Sequence, residues 1–217
     1  MTVTRSGNSS DKGASSGGGS GRGIKNPNVT APDTSDKKFT DITGHWAEND
    51  IYECTDDGLF NGVSDTLFDP EGTVTRAMAV TVLGRFSKDA SENFSTVFND
   101  VSADKYYADY VSWGAKNSIV KGISETEFAP DNFVTREQIS SMIVRYLRYK
   151  GVQLPNESAD IKNHADYDMI SDYAKEDMAI CCEIGLIKGH DSGLIDPKGN
   201  LTRAQLASVM ARLSDLI

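Results

Sequence analysis

Three stretches decide the fold: GTVTRAMAVTVLGRF (residues 72–86), NFVTREQISSMIVRY (132–146) and GNLTRAQLASVMARL (199–213). In each, a Thr-Arg pair is followed by an apolar stripe at i, i+3, i+4 and i+7. The stripes are Ala79, Val82, Leu83, Phe86, then Ile139, Met142, Ile143, Tyr146, then Leu206, Val209, Met210, Leu213. That period predicts three amphipathic helices. Thr75, Thr135 and Thr202 stand where an N-cap belongs, and Gln138 and Gln205, three residues on, complete a capping box. Met78 occupies that position in the first stretch and has no side-chain acceptor, so the first of these helices is expected to start weakest.

Working outward, the same segments align without a gap back to Trp46, Tyr106 and Tyr173. Gly62, Gly122 and Gly189 are in phase, as are Pro70, Pro130 and Pro197. The motif arginines Arg76, Arg136 and Arg203 lie 60 and then 67 residues apart. Each repeat opens with a second helical pattern (Ala47, Ile51, Cys54; Tyr107, Val111, Gly114; Ala174, Met178, Cys181). Its packing face narrows to small side chains, which lets another backbone approach. Between the helices a loop carries an apolar anchor, Phe68, Phe128 or Ile195. After the proline comes Gly72, Asn132 or Gly199, read as the site of a left-handed turn. One helix pair is too small to bury its own stripe, so the three must share a core. The expected fold is all-α, three helix–loop–helix repeats about a pseudo-threefold axis, with negligible strand content.

Residues 1–38 are Gly, Ser, Asn, Asp and Lys with almost no large apolar side chains. They cannot offset the entropy of ordering and read as a flexible linker. The expected units are therefore a linker at 1–38 and repeats at 39–97, 98–160 and 161–217, the three repeats making one folded, monomeric unit. No signal peptide or membrane span is visible, so an export signal and a covalently linked cargo are expected before the linker.

The formal net charge of −10 argues against nucleic acid or an anionic membrane as partner, since both select basic surfaces. It leaves room for a small anionic ligand held by a few converging arginines. Cys54, Cys181 and Cys182 form neither a CxxC pair nor an even disulfide framework, and read as buried packing residues. His45, His164 and His190 have no metal-ligand spacing. Asp56 and Asp57 are adjacent on a helix and cannot flank one substrate. The loops Asp65–Gly72 and Asp191–Gly199 lack the ligand pattern of an EF-hand. Neither catalysis, a metal nor a cofactor is expected.

The motif arginines are the chemical oddity. A cation in the first turn opposes the positive end of the helix dipole, at about 0.3–1 kcal/mol. Two readings account for its threefold recurrence. Each arginine pairs with a carboxylate of a neighbouring repeat and serves the fold, or each joins free helix N–H groups in binding an anion. Trp46, Tyr106 and Tyr173 are either hydrophobic staples or an aromatic rim on which a sugar stacks. The three glycines are loop hinges or points of close ligand approach.

These residues resemble the S-layer-homology family: Phe39-Thr40-Asp41-Ile42 and Phe98-Asn99-Asp100-Val101, then His45-Trp46-Ala47, Gly58-Leu59-Phe60-Asn61-Gly62, and Thr-Arg at each second helix. The likeness spans most of the chain. It implies a three-pronged, pseudo-threefold spindle on a bacterial cell surface that binds secondary cell-wall polysaccharide, often pyruvylated, in grooves between repeats. Carried over by position, Arg76, Arg136 and Arg203 meet the anionic substituent. Trp46, Tyr106, Tyr173, Gly62, Gly122 and Gly189 line the grooves. The chain departs from the family's Thr-Arg-Ala-Glu at Met78, Glu137, Gln138 and Gln205. Repeat three has Asp166-Tyr167-Asp168-Met169 where the Phe-x-Asp opening belongs, and repeat one is expected to contribute least. A module that binds another surface protein instead of glycan is the rival reading.

Overall fold

The helix-forming stripes are realised as six α-helices in a computed structural model that describes residues 38–90, 95–156 and 160–217. All but the last residue of the 1–38 linker thus lie outside the described residues. The helices are α1 (Glu48–Asp56), α2 (Arg76–Ser87), α3 (Ala108–Lys116), α4 (Arg136–Tyr149), α5 (Lys175–Glu183) and α6 (Arg203–Leu216). Short 3-10 turns at Thr40–Ile42, Tyr167–Met169 and Asp172–Ala174 precede the first helices of repeats one and three. There is no strand among the described residues, only three isolated bridges, Thr73 with Thr202, Thr75 with Phe133, and Thr135 with Asn200.

Those bridges mark the pseudo-threefold axis. Val74 N–H donates to Leu201 O (2.9 Å), Leu201 N–H to Val134 O (3.1 Å) and Val134 N–H to Val74 O (3.0 Å), closing a ring of three hydrogen bonds. Each residue stands just before the N-cap of a second helix, so the ring fixes where all three helices begin. Val74, Val134 and Leu201 are themselves buried.

The helices pair across repeats. Helix α2 of repeat one packs on α3 of repeat two, α4 on α5 of repeat three, and α6 returns to α1 of repeat one. The small side chains of the first helices sit at these contacts. Cys54 Sγ donates to Ala207 O on α6 (3.3 Å) and Cys181 Sγ to Ser140 O on α4 (3.6 Å). A Cβ on Gly114 would lie 3.2 Å from Val80 of α2. All three cysteines are free thiols, and burial pushes Cys54 up to about 12 and Cys182 up to about 11. They are packing residues with little thiolate character.

Loop geometry corrects one expectation. The left-handed residues are Asp69 (φ 61°), Ala129 (φ 57°) and Asp196 (φ 51°), each before the proline, and Gly72, Asn132 and Gly199 are not left-handed. Gly72 and Gly199 are required for another reason, because a Cβ there would collide with the carboxylates of Asp69 and Asp196. Repeat two has Ala129, which carries no carboxylate, and so accommodates Asn132.

A carboxylate from the opening motif holds each loop. Asp41 accepts from Phe68 N–H (2.9 Å) and Asp69 N–H (2.7 Å), and Asp100 from Phe128 N–H (2.9 Å) and Ala129 N–H (2.6 Å). In repeat three Asp166 does the same for Ile195 N–H (3.0 Å) and Asp196 N–H (2.7 Å). The opening motif of repeat three is therefore His164-Ala165-Asp166, with histidine replacing phenylalanine, and Asp168 is not its acid. Burial acts to raise the Asp41 and Asp166 pKa values, but the backbone N–H donors outweigh it and hold both below the ordinary value.

The first helices end on a left-handed residue at Gly58 (φ 72°), Ser118 (φ 59°) and Gly185 (φ 76°). Serine carries a steric cost there that glycine does not. Ser118→Gly should stabilise the protein by about 1 kcal/mol, raising the thermal midpoint by a few degrees. An unchanged or lower midpoint would remove the argument.

Candidate functional site

Each motif threonine caps its helix: Thr75 Oγ1 accepts from Met78 N–H (3.2 Å), Thr135 Oγ1 from Gln138 N–H (3.4 Å), and Thr202 Oγ1 from Gln205 N–H (3.2 Å). Gln138 and Gln205 return the bond to the N-cap N–H, completing two capping boxes. Helix α2 keeps the forward bond and lacks only the reciprocal one.

The first two N–H groups of each second helix are already used. Arg76 and Ala77 donate to Asn132 O and Pro130 O (both 2.9 Å), Arg136 and Glu137 to Gly199 O (2.9 Å) and Pro197 O (3.0 Å), and Arg203 and Ala204 to Gly72 O (2.8 Å) and Pro70 O (2.9 Å). Those helix starts therefore do not present free amides to a ligand.

The arginine side chains follow the same cyclic pattern. Arg76 donates through Nε to Phe128 O and through Nη2 to Lys121 O (both 2.8 Å). Arg136 reaches Ile195 O (2.8 Å) and Lys188 O (2.6 Å) of repeat three. Arg203 reaches Phe68 O (2.9 Å) and Asn61 O (2.8 Å) of repeat one. Their partners are main-chain carbonyls and not the carboxylates that a salt-bridge role would require. Arg76 and Arg203 also stack on the loop anchors, 4.6 Å from the Phe128 ring centre and 4.4 Å from that of Phe68. Ile195 gives Arg136 no ring.

Arg76 and Arg136 are only 4% and 6% exposed. Burial lowers the pKa of all three guanidinium groups, with nearby acids acting against it. From so high a starting value they stay cationic at neutral pH. Each Nη1 makes no hydrogen bond to a described residue, leaving one donor edge over.

Three grooves lie along these arginines, and each draws on all three repeats. The Arg203 groove, about 420 Å³, is lined by Gly62, Met78 and Arg85 of repeat one and Tyr106 of repeat two. The Arg76 groove, about 370 Å³, has Gly122, Gln138 and Arg145 of repeat two and Tyr173 of repeat three. The Arg136 groove, about 470 Å³, has Gly189, Gln205 and Arg212 of repeat three and Trp46 of repeat one. The aromatics are exposed at 63% (Trp46), 60% (Tyr106) and 53% (Tyr173), so they form groove rims and not buried staples.

A Cβ on Gly62 or Gly122 would strike Phe39 or Phe98 and two loop carbonyls, and one on Gly189 would strike His164. These glycines are needed by the loop's own packing, and their φ lies outside the left-handed region.

Arg85, Arg145 and Arg212 went unread in the sequence, although each falls nine residues after a motif arginine in phase with the repeat. Arg85 Nη1 donates to Leu59 O (3.0 Å) and Arg212 Nη1 to Leu186 O (3.2 Å). The grooves also regroup the motif residues. Met78 lines the groove of Arg203, and Arg76 shares its groove with Gln138. A weak capping position in repeat one therefore says nothing against Arg76.

The sequence profile of the S-layer homology domain matches residues 38–79, 97–139 and 160–207, more than half of the chain. The chain belongs to the S-layer homology domain family, whose members sit at the bacterial cell surface and include surface-anchoring proteins. It is 29% identical over 175 residues to an amylopullulanase of Thermoanaerobacterium thermosulfurigenes, covering 81% of this chain and 9% of the relative. The surface-layer 125 kDa protein of Lysinibacillus sphaericus is 29% identical, with 80% of this chain and 14% of the relative covered. A cellulosome-anchoring protein of Acetivibrio thermocellus is 25% identical, with 71% and 35% covered. The chain thus spans only a minor part of each of these relatives.

Removing one motif guanidinium strands two inward-facing carbonyls. Arg136→Ala should destabilise the protein by about 3 kcal/mol in urea unfolding, and lysine should not restore both bonds. A change below about 1 kcal/mol would show that the arginine does not join the repeats.

Proposed function

We propose that this chain is a non-catalytic module that binds an anionic secondary cell-wall polysaccharide in its inter-repeat grooves and thereby tethers a larger surface protein. The observation that carries this reading is the recurrent composition of the grooves. Each one combines a buried or half-buried motif guanidinium with a spare donor edge, a second arginine on the following helix, and an exposed aromatic from the remaining repeat. An aromatic face suits the CH surface of a pyranose, while the paired arginines suit a carboxylate such as that of a pyruvate ketal.

A second support is the range of relatives. An amylopullulanase, a surface-layer protein and a cellulosome-anchoring protein share this segment while their names differ. A part common to such proteins fits attachment better than any one of their activities. The acidic net charge of −10 then confines anion affinity to the grooves.

The protein should sediment with bacterial sacculi that carry a pyruvylated secondary polymer. It should remain in the supernatant once acid has stripped that polymer. Equal sedimentation with stripped walls contradicts glycan binding and points to a protein or peptidoglycan partner.

A further inference from the structure

The three grooves share a plan, but their polar groups are not equally engaged. Among the second arginines, Arg85 and Arg212 are each tied to a carbonyl, whereas Arg145 makes no hydrogen bond to a described residue. The hydroxyl five residues after each motif arginine differs too. Thr81 Oγ1 donates to Ala77 O (2.8 Å), but Ser141 Oγ is buried without a hydrogen-bond partner. The Asp177 carboxylate on α5 nevertheless faces that hydroxyl: burial raises its pKa, and Ser141, Arg148 and Arg145 act to lower it.

The rim aromatic of the same groove is anchored. Tyr173 Oη donates to Glu137 Oε1 (3.2 Å). Glu137 is buried and accepts in turn from Ser171 N–H, Ser171 Oγ (both 3.0 Å) and Lys198 Nζ (2.7 Å). Burial acts to raise the Glu137 pKa, but the Lys198 and Ser171 bonds hold it below the ordinary value, so it is an ion at neutral pH. Tyr106 and Trp46 make no hydrogen bond to a described residue. Glu137 replaces the alanine found at positions 77 and 204. That substitution supplies the tether, and Lys198 offsets the charge it adds.

From these observations, and resting on the glycan reading above, we infer that the Arg76 groove is the principal binding site of the three. Arg145 meets the acidic substituent, and Glu137 acts as a positioning residue that holds Tyr173 as a fixed stacking face. A guanidinium that makes no hydrogen bond to a described residue gains one on binding without giving up a bond already made. A ring fixed beforehand loses less freedom when a sugar stacks on it.

The test is calorimetric titration with a methyl hexopyranoside bearing a pyruvate ketal, beside its uncharged methyl ester. Wild type should prefer the acid. Arg145→Gln should weaken acid binding about tenfold and abolish that preference, with the thermal midpoint unchanged. Arg85→Gln and Arg212→Gln should leave the tightest site within about twofold. Glu137→Ala and Tyr173→Phe should weaken acid and ester alike by about threefold, an orientation effect and not a charge effect. If Arg145→Gln binds like wild type while Arg85→Gln or Arg212→Gln loses the acid, the assignment of the principal groove is overturned and the glycan reading survives. If wild type does not distinguish acid from ester, the anionic-sugar reading falls and the assignment falls with it.

Discussion

Each second helix starts with a guanidinium that donates to two carbonyls of the neighbouring repeat, and the rest of the molecule depends on that contact. Arg76 reaches from repeat one to two, Arg136 from two to three, and Arg203 from three back to one. The circuit is closed, with no terminal repeat left over. Around it lie the ring of Val74, Val134 and Leu201, the helix-start amides bonded to loop carbonyls, and the cross-repeat helix pairs. The apparent electrostatic error of a cation at a helix N-terminus is resolved locally. Carbonyl dipoles from the next repeat face the guanidinium, and two such charge-assisted bonds outweigh a dipole penalty of about 0.3–1 kcal/mol.

The same contact makes the arginine both structural and available. Nε and Nη2 are committed to the fold, which immobilises the planar group and leaves one edge to a groove. Under the proposed function, a fixed donor beside an aromatic rim serves as a preorganised anion site. The opening aspartate completes the chain of command. Asp41 holds the N–H of Phe68, and Phe68 O receives Arg203, so an acid at the start of one repeat positions a cation at the end of another.

Much of the helical plan was legible, because a stripe such as Ile139, Met142, Ile143 and Tyr146 has only one economical folded form. The Thr-Gln capping boxes were equally explicit. The partners of the arginines were not, for a simple reason: every residue has a carbonyl, so Phe128 O or Lys188 O carries no signature of side-chain type. The cross-repeat exchange of helices was hidden because apolar stripes are interchangeable. As a result the capping defect at Met78 was counted against Arg76, although Met78 lines the groove of Arg203. Asp166 was missed because the spacing from the acid to the loop anchor drifts over 27, 28 and 29 residues. The second arginines were in plain phase and needed only the question of what recurs nine residues on.

If closure is what makes the fold, the repeats cannot stand alone. The most direct measurement is urea unfolding of a chain ending at Asn156, which retains repeats one and two but removes α5 and α6. Helix α4 then loses its partner, α1 loses its own, and Arg136 and Val134 lose their acceptor and donor. The account predicts no cooperative transition for this fragment, against a single sharp one for the whole chain. A cooperative transition with a midpoint near that of the full protein would contradict it.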